Sequence, residues 1–245
     1  MEKETLPPDS SLQEGMNGPI GRRKFFFFGA AAATTAVVLA ASCKKDEPAT
    51  TPPTTTTPVP DNGVNLGSGD VGILNYAYAL EQLEAAFYTQ VVATPYAGIT
   101  AAETAILTDI KAHEIAHRDF LKTALGASAI VNLEVNFTSI DFTKRASVLG
   151  TAKAFEDLGV SAYNGAGKLL VDGTNLLLAG KIVSVEARHA SVIRDLLNPK
   201  SADFAGNDTV TVDNGLDVSR TPAQVLAIAG TYVKTKIDAS NLPTT

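Results

Sequence analysis

Six side chains that can bind metal ions occur along the chain as two similar sets. Each set consists of a lone glutamate on one apolar segment and a Glu-x-x-His pair on the next. The two sets are Glu81, Glu114 and His117, then Glu156, Glu186 and His189. Carboxylate and imidazole groups are ligands for divalent transition metals, so this pattern indicates a buried site for two metal ions.

The spacing between the two sets is nearly constant. Tyr88 and Tyr163 each lie seven residues after the lone glutamate of their set, Glu81 or Glu156. The interval between the two lone glutamates is therefore the same as that between the two tyrosines, and the two Glu-x-x-His pairs are separated by almost the same interval. A repeat of this kind is most simply explained by two related pairs of helices.

Helix geometry explains the spacing within each Glu-x-x-His pair. Residues i and i+3 of an α-helix lie about 60° apart around the axis and about 4.5 Å apart along it, so one helix can direct both groups at one metal ion. Four carboxylates buried near the axis of a bundle would be strongly destabilising without compensation. Two divalent cations would neutralise them, and helical bundles with di-iron or di-manganese centres contain this set of ligands.

Four long helices are predicted to carry these residues, because apolar residues recur with helical periodicity around each of them. Thr100 and Glu103 form a capping box that begins the second helix, and Gly126 ends it. Asp70 is the predicted N-cap of the first helix, and Pro199 stops the fourth. The predicted helices cover residues 71–92, 101–125, 143–170 and 174–197, with a shorter additional helix at 222–233.

The segment between the second and third helices, residues 126–142, is predicted to be extended, because apolar and polar residues alternate around 131–137. Its seventeen residues can span up to about 56 Å, whereas a long helix of the bundle measures about 33 Å. This length permits a crossover along the bundle, which makes the second and third helices parallel. The additional helix has Thr221 as its predicted N-cap and Pro222 at its first position, and we expect it to pack outside the bundle.

Four segments of the chain resemble the ferritin-like superfamily, and within it the desiccation-related proteins of bacterial envelopes. The segments are ILNYAYALEQLEAAFY (73–88), HEIAHRDFL (113–121), AFEDLGVSAYNGA (154–166) and VEARHASVIRDLL (185–197). The resemblance covers residues 70–198 and implies an all-α fold, an antiparallel four-helix bundle with a long crossover and an extra C-terminal helix. It also implies that each Glu, Glu, His set serves one metal ion and that Glu114 and Glu186 bridge the two ions.

The resemblance further implies a centre of two iron ions, or two manganese ions, whose open coordination positions bind O₂ or peroxide. The expected activity is iron oxidation or the detoxification of peroxide or O₂. Ferritins and bacterioferritins carry a tyrosine seven residues after the first ligand, and Tyr88 has this position relative to Glu81. Tyr88 and Tyr163 are therefore candidate catalytic residues, as a radical or hydrogen-bonding pair, or else they only fill the bundle. The alternative function is a non-enzymatic envelope or desiccation-stress protein with a structural or vestigial metal site.

The sequence His113-Glu114-x-x-His117 also matches the signature of zinc peptidases, in which two histidines bind zinc and the glutamate activates water. Glu134 or Glu156 would then be the third ligand. The second pair has Val185 in place of the leading histidine, so the part that repeats is the part that a two-metal bundle needs. We interpret His113 as a residue that flanks the metal site, or that contacts one of the ligands without binding metal itself.

Two features near the predicted ligands have more than one interpretation. Glu84, one helical turn after Glu81, is an extra ligand, a base close to the site or a charge at its rim, and the sequence favours the last two. Gly159, Gly165 and Gly167 weaken a helix, so they indicate either close packing against a neighbouring helix or a kink.

The first 43 residues are predicted to be an export signal. Arg22 and Arg23 begin a twin-arginine pattern, and an apolar run leads to Cys43, the only cysteine of the chain. This arrangement predicts a lipoprotein whose acylated Cys43 anchors it to a membrane of the cell envelope, in the periplasm or at the outer membrane. A secreted soluble protein and an uncleaved anchor are the alternatives.

Composition divides the rest of the chain into three parts. Residues 44–69 are rich in proline and threonine and are predicted to form an extended linker. Residues 70–198 form the predicted bundle, and residues 199–245 form a C-terminal extension with one helix. The formal net charge is −6 and no basic cluster occurs, which argues against binding to nucleic acid.

Overall fold

A computed structural model describes residues 63–244 of the chain. Its helices are α1 (Gly69–Ala93), α2 (Ala101–Leu125), α3 (Arg145–Gly167), α4 (Gly173–Leu197) and α5 (Pro222–Ala229). Two short strands, β1 (Val64–Asn65) and β2 (Ile237–Asp238), pair in parallel. The four long helices pack as a bundle in which α1 lies against α2 and α3 lies against α4. The predicted all-α bundle is therefore confirmed.

Contacts at one end of the bundle define the direction of the helices. Arg145, at the start of α3, binds the carboxylate of Glu103 in the first turn of α2 and the carbonyl oxygen of Leu196 near the end of α4. The loop between α1 and α2 joins the same end, because Ala97 N–H donates to the carbonyl oxygen of Thr143. Helices α2 and α3 are therefore parallel to each other and antiparallel to α1 and α4, as predicted.

The crossover between α2 and α3 runs alongside α1, where two amide side chains of α1 hold its backbone. Asn75 donates to the carbonyl oxygen of Ser128 and accepts from Ile130 N–H. Gln82, two turns further on, accepts from Leu133 N–H. The amides satisfy backbone groups that no regular strand pairs within the described crossover, and this explains why Asn75 and Gln82 are buried within an apolar helix face.

The predicted N-cap of the first helix is wrong. Ser68, with an extended backbone, precedes α1, and Asp70 lies inside its first turn. The Asp70 carboxylate instead accepts hydrogen bonds from the backbone of Val171 and Asp172 and from the Asn175 side chain. Asp70 therefore fastens the loop between α3 and α4 to the start of α1, at the end of the bundle opposite Arg145.

The capping boxes at Thr100 and Thr221 are confirmed. The predicted third helix is too long at both ends, since α3 covers only Arg145–Gly167. The additional helix is also shorter than predicted, because α5 ends at Ala229 and a 3₁₀ turn follows at Gly230–Tyr232. It packs on α3, where Val225 is fully buried.

The folded unit begins before residue 70, so the predicted end of the linker at residue 69 is wrong. Val64 and Leu66 are buried, and β1 pairs with β2 near the C-terminus. The apolar side chains of this segment complete the core beside α1, which a solvated linker would not do.

The predicted export signal, Cys43 and the linker before residue 63 lie outside the described residues. Among the helices that the structure describes, none has the length and apolar character needed to cross a membrane.

The segment that follows α4 is held on the bundle by a buried arginine. Arg194 is 1% exposed and donates two hydrogen bonds to Asp157 and further bonds to Asp203 and Asp208. Asp157 is only partly exposed, because its carboxylate pairs with this arginine. The ion pairs connect α3, α4 and the C-terminal extension at one place.

Candidate metal centre

The six predicted ligands meet in the middle of the bundle, one or two from each long helix. The four glutamates are fully buried, His189 is buried and His117 is half-buried. The residues are Glu81 on α1, Glu114 and His117 on α2, Glu156 on α3, and Glu186 and His189 on α4. They form two groups, and within each group the potential ligand atoms all lie within 4.8 Å of one another.

The first group surrounds Nδ1 of His117. This nitrogen lies 2.8 Å from Oε1 of Glu186, 3.6 Å from Oε2 of Glu114 and 3.6 Å from Oε2 of Glu81. Three carboxylates and one imidazole from three helices thus face a common point. This is a suitable set of donors for one transition-metal ion.

The second group surrounds Nδ1 of His189 and repeats the first. This nitrogen lies 2.8 Å from Oε1 of Glu114, 3.4 Å from Oε2 of Glu156 and 3.8 Å from Oε2 of Glu186. In both groups the shortest contact joins a histidine to the glutamate of the other Glu-x-x-His pair. The repeat in the sequence therefore corresponds to a near-twofold arrangement of side chains.

Glu114 and Glu186 belong to both groups, whereas the other four residues belong to one group each. Each of these two carboxylates directs one oxygen to the His117 group and the other oxygen to the His189 group. A carboxylate in this position can bridge two cations. The structure thus places the two predicted bridging residues between the two groups.

Buried polar atoms without a hydrogen-bond partner show that a cation fits this site. Eight such side-chain atoms within the described residues belong to these six residues, namely six carboxylate oxygens and Nδ1 of both histidines. The histidines are close to oxygens but do not direct an N–H group along the line to any one of them. Unpaired buried polar groups are costly, and their convergence on two points is relieved by a positive ion at each point.

Two tyrosines form hydrogen bonds with the two glutamate oxygens that do not face the groups of ligands. Tyr88 of α1 donates a hydrogen bond to Oε1 of Glu156 on α3, and Tyr163 of α3 donates one to Oε1 of Glu81 on α1. Oε2 of each glutamate is left facing its group. The two candidate catalytic tyrosines are therefore buried beside the centre and orient one carboxylate each, across the interface between α1 and α3.

The charges of the site are strongly coupled. Burial alone would lower the pKa of His117, but its three carboxylate neighbours raise that pKa to about 12, and the same balance raises the pKa of His189 to about 12. Burial also raises the pKa of Glu156, while the two imidazolium groups hold the pKa of Glu186 down against the effect of burial. Without metal, the positive charge of the site comes from two protonated histidines. Binding of metal at Nδ1 must displace those protons.

Glu84 is buried beside the centre, which agrees with the predicted base close to the site and rules out a charge at its rim. Its side chain faces the centre between α1 and α3, and burial together with Glu186 and Glu114 raises its pKa well above the usual value. Gly159 follows Glu156 by the same interval as Glu84 follows Glu81, so it has the equivalent position in the repeat. A Cβ atom at Gly159 would lie 3.2 Å from Oε1 of Glu84, so the glycine provides room for the carboxylate.

His113 does not join His117 at a common metal position, which contradicts the peptidase interpretation. Its Nδ1 lies 2.9 Å from Nε2 of His189, and His113 belongs to neither group of potential ligands. Glu134, a proposed third zinc ligand, is on the surface and pairs with Lys234. The sequence did not identify this contact with His189, although it agrees with the interpretation of His113 as a residue that flanks or supports the site.

Comparison with known families agrees with this geometry. The family described as ferritin-like domain matches residues 69–199, which include all four long helices and all six predicted ligands. A comparison with individual curated proteins gives no match. Because the family match covers more than half of the 245 residues, the chain belongs to the ferritin-like domain family.

Proposed function

We propose that the chain binds two iron ions, or two manganese ions, one in each group of ligands, and that it uses them to oxidise Fe(II) or to remove peroxide or O₂. Glu114 and Glu186 would bridge the two ions, with Glu81 and His117 completing one position and Glu156 and His189 the other.

The observation that carries this proposal is the set of eight unpaired buried atoms in two groups that share two carboxylates. Two divalent cations balance the charge of the four glutamates, and the donors are the mixture of oxygen and imidazole nitrogen that suits iron and manganese. Without a bound cation, these buried atoms would have no partners inside the protein.

The protein side chains set the conditions for the reaction. When bound, the metal pair supplies two electrons, which together with two protons reduce one hydrogen peroxide molecule to two water molecules. Tyr88 and Tyr163 hold protons on the hydroxyl groups that face Glu156 and Glu81, beside both metal positions. The glutamates keep their Oε2 atoms directed inward, and the surrounding apolar core excludes bulk water.

An apolar cavity of about 30 Å³ lies next to Tyr163, lined by residues that include Ile73, Ala77, Leu80 and Phe120. A cavity of this size can hold a small molecule, and apolar cavities remain dry. In this proposal the cavity holds a small apolar oxidant such as O₂ beside Tyr163.

The test is to load the purified full-length chain with Fe(II) under anaerobic conditions, measure bound iron, and then follow consumption of O₂ or peroxide. We expect two iron ions per chain and oxidant consumption with formation of Fe(III). Glu114→Ala should lose both iron ions, because it removes a shared ligand, and His189→Ala should lose the iron of the second position. Both variants should stop consuming oxidant, because the reaction needs the metal pair. Asp119→Ala, an exposed acidic residue on the same helix as Glu114, is the control and should behave as the unmodified chain.

The outcomes distinguish the two functions that the sequence suggested. Iron that binds but does not react with either oxidant would contradict the redox proposal and support the envelope or stress protein with a structural site. Failure to bind iron or manganese would contradict both forms of the metal proposal.

We also propose that the protein is exported and anchored to the cell envelope through a lipid on Cys43. The twin-arginine pattern supports this, since that route exports folded proteins and would allow the metals to be inserted before export. Expression of the full chain with a labelled fatty acid should label the unmodified chain and should not label Cys43→Ala. Equal labelling of both would contradict the anchor.

A further inference from the structure

The two ring nitrogens of His189 point in opposite directions. Nδ1 faces the second group of ligands, 2.8 Å from Oε1 of Glu114, whereas Nε2 lies 2.9 Å from Nδ1 of His113. The planes of the two imidazole rings differ by only 8°. This is the arrangement of a hydrogen bond between two imidazoles, one on α4 and the other on α2.

The metal position determines the direction of this hydrogen bond. A metal ion at Nδ1 of His189 needs the lone pair of that nitrogen, so the ring proton must be on Nε2. Nε2–H of His189 therefore donates to Nδ1 of His113, which in turn carries its own proton on Nε2. His113 as a whole is an exposed residue. The contact fixes both the tautomer and the rotation of the ligand ring.

The other metal position lacks this support. Within residues 63–244, no side chain is hydrogen-bonded to Nε2 of His117. The second half of the repeat has Val185 directly before Glu186, where the first half has His113 directly before Glu114. The His117 side chain is also more exposed than that of His189, at 13% compared with 5%. The two positions thus have equivalent ligands but different surroundings.

We propose that His113 is a positioning residue for His189, and that it makes the Glu156/His189 position the tighter of the two metal positions. This inference rests on the proposed metal centre and adds an order of binding to it. A hydrogen-bond partner that orients a ligating histidine and increases its basicity is typically responsible for a 10- to 100-fold difference in metal affinity.

The test is an anaerobic titration of the full-length chain with Co(II), followed by its visible absorption and repeated against a competing chelator. The unmodified chain should bind in two steps of different affinity. His189→Ala should remove the tighter step and His117→Ala the weaker one, which assigns each step to its position. Circular dichroism of each variant shows whether the bundle is retained.

His113→Leu should weaken the tighter step about 10- to 100-fold and leave the weaker step unchanged. His113→Asn should restore most of the affinity, because its amide oxygen occupies nearly the place of Nδ1 and can accept the same hydrogen bond. Val185→Ala, at the equivalent position of the other half, is the matched control and should change neither step.

An unchanged tighter step in His113→Leu would overturn the inference, and so would an equal loss in both steps, since that would show a general effect on the bundle. Absence of Co(II) binding by the unmodified chain would instead contradict the proposed function. The two failures are therefore distinguishable.

Discussion

The hydroxyl group of Tyr88 donates a hydrogen bond to Glu156, a carboxylate that faces it from a different helix. Tyr163 and Glu81 form the reciprocal pair, so each half of the repeat orients a carboxylate of the other half. The two pairs join α1 and α3 at the level of the candidate metal centre. A tyrosine that had only a packing role would not need its hydroxyl group, and this difference can be measured.

Tyr88→Phe should destabilise the metal-free protein by about 1–3 kcal/mol, because Oε1 of Glu156 loses its partner inside the core. The measurement is denaturant unfolding of the metal-free full-length chain. Tyr76→Phe is a matched control, since the Tyr76 hydroxyl is buried without a partner among the described residues and its removal should cost nothing. Equal losses in the two variants would show that the bond to Glu156 contributes no stability.

Glu84→Gln should stabilise the metal-free protein at neutral pH. The pKa of Glu84 is raised in the folded state by burial and by Glu186, from an ordinary value of 4.5. Above that value the unfolded chain releases the proton while the folded chain keeps it, so stability falls as the pH rises. The increase in the free energy of unfolding caused by the substitution should be small near pH 4.5. Above this pH it should grow by up to about 1.4 kcal/mol per pH unit.

The check is chemical denaturation of both proteins at several pH values between about 4.5 and 7.5, the window above the unfolded pKa. Glu134→Gln makes the same change of charge at an exposed site and should produce no comparable pH-dependent gain. A gain for Glu84→Gln that is independent of pH would mean that Glu84 is ionised, and not protonated, in the folded metal-free protein.

Replacement of two glycines of α3 by alanine should have opposite effects on the stability of the protein. A Cβ atom at Gly165 would lie 1.7 Å from the carbonyl oxygen of Arg220, so Gly165→Ala must displace the segment before α5 and should cost about 1–3 kcal/mol or more. Gly150 has no atom within 4 Å of the corresponding position, and Gly150→Ala should stabilise the helix by up to about 1 kcal/mol. Thermal unfolding of the two variants measures both effects, and a destabilised Gly150→Ala would contradict this account of α3.

Arg194→Met should destabilise the protein by about 3–5 kcal/mol, because it leaves Asp157 and its neighbours without the cation that compensates them. Lys234→Met breaks an exposed ion pair with Glu134 and should cost less than about 1 kcal/mol. Proteolysis of the segment after α4, measured together with unfolding, should be faster only in the Arg194 variant. Similar stability of the two variants would show that Arg194 does not hold the extension on the bundle.

The sequence predicted the bundle, its topology and the grouping of the six side chains, because these depend on local rules. The i,i+3 spacing of each Glu-x-x-His pair places both groups on one face of a helix, and the apolar periodicity turns that face inward. The capping boxes at Thr100 and Thr221 were predicted correctly for the same reason, because they too depend on local sequence.

The features that the sequence did not predict depend on contacts between distant segments. Glu84 is one turn from Glu81, so helical periodicity alone permits a buried or a rim position, and Gly159 on another helix decides between them. His113 meets His189 only because α2 packs beside α4. Asp70 has the residue type of an N-cap, but its carboxylate bonds to a loop that lies far along the chain, between α3 and α4. Propensity and periodicity contain no information about such partners.

Diffraction from crystals of the iron-loaded full-length chain, with anomalous data collected at the iron edge, tests the central claim most directly. The account predicts two anomalous peaks per chain between Glu114 and Glu186, one beside Nδ1 of His117 and one beside Nδ1 of His189. No peak at this place, or a single peak bound by His113 and His117, would contradict it.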